Sequence, residues 1–146
     1  MGTFALEVLY SKYIVFGSSV FASWKIQDDP CFWPFFKNAI GAIDGSHIPA
    51  RLPARERAAY QNCKGFLSKN CLFACDFNFN FSYVLTGWEG SATDARVFQD
   101  VCQNDLEFPQ QKYLLADAGF PSTPNLLVPY RNTRYHLAEW SRASRK

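Results

Sequence analysis

The pattern of apolar and polar positions marks two neighbouring runs most clearly, "NCLFACDFN" (70–78) and "FSYVLTGWEG" (81–90). Both are rich in β-prone residues and meet around "FNFN", so they predict a hairpin with Asp76 to Asn80 at its turn. "SATDARVFQDVC" (91–102) changes to a helical period. Ser91 or Thr93 serves as its N-cap, and Val97, Phe98 and Val101 share one face. "KYLLAD" (112–117) is a short continuous apolar run, as expected of a buried central strand. "AIGAIDGSHIPA" (39–50) opens as a strand and stops being apolar at Asp44. The spacing of Leu6, Leu9, Tyr10 and Tyr13 predicts a helix over 3–14. Asp28, Asp29 and Pro30 read as a second helix start. Residues 51–62 read as a loop or short helix, three prolines forbid a long helix over 119–130, and "YHLAEW" (135–140) has a helical look. Strand, hairpin, helix, strand is the order of a mixed α/β domain, with helices packed on a central sheet.

In this order two strands deliver a carboxylate to their ends, Asp44 in the first and Asp117 in the fourth. An unpaired carboxylate is costly in such a place, and two at neighbouring strand ends repel unless a positive charge lies between them. Hard oxygen donors of this kind suit Mg²⁺ or Mn²⁺. The local alternative is that both aspartates initiate turns, since Gly45 and Gly119 follow closely. Asp94 is a third candidate, and it has an equally good reading as an acidic group complementing the dipole of the predicted helix. His47 is either a phosphate contact or a hydrogen-bonded loop residue. Trp88 and Glu89 either line a cleft or belong to the core. Tyr60, Lys64 and Lys69 either approach a nucleic-acid backbone or form a solvated loop.

Composition narrows the field. The 146 residues suffice for one domain with a real core. A net charge of +2 gives no bulk electrostatic argument for nucleic acid. Only the carboxyl end is basic: Arg131, Arg134, Arg142, Arg145 and Lys146 face Glu139 alone, which fits a phosphate-facing surface or a solvated tail. The odd count of 5 cysteines, without a C-x-x-C pair, indicates a reducing compartment and no disulfide framework. Two histidines, His47 and His136, lack the spacing of a zinc finger. No apolar run approaches the ~18 residues of a membrane span. Glu7 before the apolar stretch 13–24, with Lys12 the lone cation near it, speaks against a secretory signal.

Five segments in order, "AIDGSHI", "YQNCKGFLSKN", "ACDFNFNFSYVLTGWEGSATDARVF", "KYLLADAGFP" and "PYRNTRYHLAEW", resemble the nuclease domain of PIF/Harbinger-type transposases and their domesticated derivatives, in the DDE superfamily. The resemblance runs from about residue 36 to 140. It implies an α/β, RNase H-like mixed sheet with flanking helices, C-terminally incomplete, in which 1–35 form a helical lead-in and 36–146 a partial DDE-type nuclease domain. It further implies metal-dependent cleavage of DNA phosphodiester bonds in the nucleus, with Mg²⁺ or Mn²⁺ as cofactor and a separate DNA-binding protein as partner. Asp44 matches the first catalytic aspartate and Asp117 the aspartate of a "DxGY/F" motif. Asp94 matches the "GSxHDSRV"-like motif, as a supporting or alternative ligand. Three departures accompany these matches. The glutamate of a "VIER"-like motif has no counterpart before Lys146, Cys63 replaces the usual arginine, and Thr93 replaces the usual histidine. The expected function is therefore a nuclease-type domain impaired by loss of its third acid. The alternative is a non-catalytic remnant that binds DNA or protein.

Overall fold

A computed structural model describes residues 23–104, 106–131 and 133. The helix expected over 3–14 and the segment 135–140 lie outside the described residues. Five strands form one sheet: β1 (Ala39–Pro49), β2 (Ser68–Cys75), β3 (Phe81–Glu89), β4 (Tyr113–Leu115) and β5 (Leu126–Leu127), in the order β3-β2-β1-β4-β5. β1 is antiparallel to β2, and β2 to β3; β4 runs parallel to β1, and β5 to β4. The helices are α1 (Trp24–Gln27), α2 (Arg57–Tyr60), which follows a 3₁₀ turn at Ala54–Glu56, and α3 (Asp94–Asn104). This is the mixed, RNase H-like α/β arrangement that the sequence implies.

The sheet has two unlike faces because its strands alternate. On the inner face Ile43, Leu72, Ala74, Tyr83 and Leu114 are buried beneath Val97, Phe98 and Val101 of α3, the three positions expected to share a face. Phe120 and Leu126 complete this core, and the Phe98 and Phe120 rings meet edge to face at 6.1 Å. Truncating any such buried leucine to alanine costs about 2–5 kcal/mol. Thr93 caps α3: its carbonyl accepts the N–H groups of Arg96 and Val97, and its Oγ1 lies 3.4 Å from the Arg96 nitrogen. The outer face is only partly covered. Lys25, Ile26, Phe32, Phe36, Phe77 and Leu115 enclose a small apolar cavity of about 270 Å³ at one end of it.

Two expectations about these elements need correction. Asp44 does not end β1, which continues through the polar "GSHIP" to Pro49 because every one of those residues pairs with β2. Cross-strand pairing overrides the turn character of the local sequence. Asp29 and Pro30 do not begin a regular helix. The N–H groups of Phe32 and Trp33 both bond the Asp29 carbonyl, and the segment then runs in turns to Asn38, interrupted by Pro34, which has no N–H to give. The segment with three prolines holds no long helix, as expected, and Leu126 and Leu127 add a two-residue edge strand within it.

Candidate metal-binding site

The parallel register of β1 and β4 brings the two aspartates to the same end of the sheet. Ala42 pairs with Leu115, and Asp44 and Asp117 each stand two residues further on. Two residues is one full repeat of a strand, so each aspartate falls on the face of its paired predecessor. On β1 that is the outer face, since Ile43 is buried inside and Asp44 is exposed. Just past β4, Ala116 packs against the inner core, and its N–H bonds the Leu127 carbonyl, which carries the extended course one residue beyond the strand. Asp117 is likewise exposed.

Each carboxylate is oriented by one backbone group. The Gly45 N–H donates to Asp44 Oδ1 at 2.8 Å, and the Gly119 N–H donates to Asp117 Oδ1 at 2.8 Å. Neither Oδ2 has a hydrogen-bond partner among the described residues, and no cationic side chain pairs with either group there. Two outward carboxylates with one free oxygen each are a suitable donor set for a hard divalent cation, which takes one or two carboxylates and completes its shell with water and phosphate. No cluster of three or more His, Cys, Asp or Glu side chains placed to hold a metal occurs among the described residues.

Asp94 takes a different place. It is the first residue of α3, and its carboxylate lies against the Gly45 backbone on the inner side, so that a Cβ at residue 45 would fall inside it. Adjacent residues of a strand face opposite ways, so the chain of β1 separates Asp94 from the Asp44 side chain. Asn70 Nδ2, from a side chain that is 1% exposed, donates to Asp94 Oδ1 at 2.9 Å and to the Ala92 carbonyl at 3.0 Å. His47 stands within β1 and not in a loop; its Nδ1 lies 3.1 Å from Ser68 Oγ, which also accepts from Asn62 Nδ2 at 3.1 Å. These buried polar groups satisfy one another and tie the loop before β2 and the start of α3 to the sheet. Trp88 and Glu89 help line a surface recess of about 610 Å³, with Thr86, Thr93 and Arg96.

Residues 43–145 match the DDE superfamily endonuclease family. The chain belongs to that family. Among curated relatives of this chain, "Putative nuclease HARBI1" of Rattus norvegicus is 32% identical over 151 residues, covering 95% of this chain and 43% of the relative. The Homo sapiens protein of the same name is 28% identical over 130 residues, covering 87% and 37%. "Protein ALP1-like" of Arabidopsis thaliana is 30% identical over 112 residues, covering 64% and 28%. The chain thus spans less than half the length of these relatives. No solved structure matches it.

Asn70 is the supporting residue that sequence reasoning passed over. Its signal was present: an amide at the head of the apolar run 71–75 needs a partner once the strand is buried.

Proposed function

We propose that this DDE-family domain is a nuclease module in which Asp44 and Asp117 jointly hold a divalent cation, Mg²⁺ or Mn²⁺, against a DNA phosphodiester. The observation that supports this most is the Ala42–Leu115 register, with an exposed aspartate two residues beyond each partner. A cation bound there supplies positive charge to the phosphate oxygens and lowers the pKa of a coordinated water. The chain's own groups prepare the place. Gly45 and Gly119 N–H groups fix one oxygen of each carboxylate and leave the other for the ion. Asn70 and Asp94, behind the strand, hold α3 and β1 in register and so act as positioning residues and not as ligands. Two protein carboxylates leave the remaining coordination to water and substrate, which makes the ion weakly held and the activity low. By the same reading the substrate is DNA, the place of action is the nucleus and a separate protein supplies sequence recognition.

Incubation of the purified chain with supercoiled plasmid and Mn²⁺ tests this. Nicking that disappears in both Asp44→Asn and Asp117→Asn is the expected result; nicking that survives in either variant contradicts it. A second reading, a binding module without catalysis, is favoured by the solvent-facing aromatic rings Trp24 and Phe79, and corresponds to DNA retention without nicking.

A further inference from the structure

A strip of aromatic rings leads across the outer face to Asp44. Phe73 is the direct cross-strand neighbour of Asp44, and its ring lies 5.6 Å from that of Phe81, centroid to centroid. Phe81 is 57% exposed at the start of β3. Two residues earlier, Phe79 is 83% exposed at the hairpin turn, with a φ of 66°. Left-handed backbone suits glycine or asparagine and is an outlier for a bulky residue. Asn78 and Asn80 flank it, yet phenylalanine holds the strained position while contributing little burial. Such a combination of local strain and solvent-facing apolar surface points toward a binding role.

A cation completes the strip. Lys25 Nζ lies 5.5 Å from the centroid of Phe79 and 5.7 Å from that of Trp24, itself 62% exposed, and donates to the Phe77 carbonyl at 2.7 Å. The ammonium has three donors, so two remain for an incoming acceptor. Planar rings open to solvent, one cation between them and a carboxylate pair at the far end together match one ligand chemistry: flat aromatic bases joined by a phosphodiester backbone. Paired bases hide their faces in the stack, whereas unpaired bases offer them to protein rings.

We propose that Trp24, Phe79 and Phe81 form a stacking platform for the unpaired bases of a DNA strand, with Lys25 meeting its backbone. Delivery of that strand to Asp44 rests on the nuclease reading above; the stacking itself does not. Asp76, in the same turn, offsets the charge of Lys25, so stacking carries the affinity and the salt dependence is shallow.

Fluorescence anisotropy of a labelled oligo-deoxythymidine and of a labelled duplex, with the full chain in EDTA, tests the platform without cleavage. The single strand binds more tightly than the duplex, and W24A and F79G each weaken it by about five-fold or more, the low end for loss of one stacked base. F79G melts no lower than the parent, because glycine accepts the turn's φ, so its loss of binding cannot be unfolding. F79W retains binding. Duplex preference, or W24A and F79G with parental affinity for the single strand, overturns the platform. If it falls while Mn²⁺-dependent nicking still requires Asp44, the nuclease reading stands alone. If the aromatic variants lose binding and no nicking occurs, the platform stands and the nuclease reading falls.

Discussion

The Asp94 carboxylate rests on the backbone of Gly45, one residue along β1 from Asp44 and on the other side of the sheet. The contact exists because residue 45 has no side chain. It fixes the start of α3 to the strand that carries Asp44. Gly45→Ala places a methyl where the carboxylate lies, so α3 must shift. The expected loss is about 1–3 kcal/mol, the usual cost of overpacking. Thermal or urea unfolding measures it, and a double-mutant cycle adds the decisive comparison. In an Asp94→Ala background the same substitution costs much less, because the group it collides with is gone. Equal costs in both backgrounds contradict the contact.

Asn70 gives a prediction with a pH signature. Its Nδ2 donates to both Asp94 and the Ala92 carbonyl from a fully buried position. Asn70→Asp removes both donors and sets a second carboxylate beside the first. Like charges at that distance raise the pKa of one member of the pair. The variant is therefore destabilised at neutral pH and recovers part of its deficit as the pH falls and one carboxyl takes a proton. Melting temperatures across an acidic series should converge on the parent from below. A deficit that is constant with pH would show that no such pair forms.

The hairpin turn titrates in the opposite sense. Burial raises the pKa of Asp76, but hydrogen bonds from the Asn80 side chain, the Asn80 and Asn78 backbones, and the nearby Lys25 charge outweigh it and hold the carboxyl below its ordinary value. A depressed native pKa stabilises the fold above the unfolded pKa, and the contribution is lost as the pH drops through the native one. Asp76→Asn should accordingly be less stable than the parent at neutral pH, with the gap closing in the acid limb. The group is only partly buried, so the effect is small. A gap that widens on acidification reverses the sign and rules out this account of the turn.

The parts of the fold that could be read from sequence are those governed by a local period. β2 and β3 are β-prone runs and α3 repeats its apolar residues on one face, and all three contribute to the same core. β1 could be followed only to Asp44, since the rest is polar and extended solely through pairing with β2. β5 is two residues between prolines and exists by virtue of β4. For the site, the acids themselves were visible, but Asp44 lies within β1 and not at its end. Their placement on adjacent parallel strands depends on a register between residues more than seventy positions apart, which no local pattern encodes. Asp94 illustrates the limit. Its sequence neighbourhood fits a helix start and a ligand equally, and only the approach to Gly45 shows which side of the sheet it serves.

The most direct measurement is Mn²⁺ binding by isothermal titration calorimetry to the parent, Asp44→Asn, Asp117→Asn and the double variant, with circular dichroism as a check on folding. A shared cation predicts one Mn²⁺ site in the parent, its loss in either single variant, and no further loss when both are combined. Binding that persists unchanged in Asp44→Asn or in Asp117→Asn, or two independent losses that add in the double variant, contradicts a cation held between them.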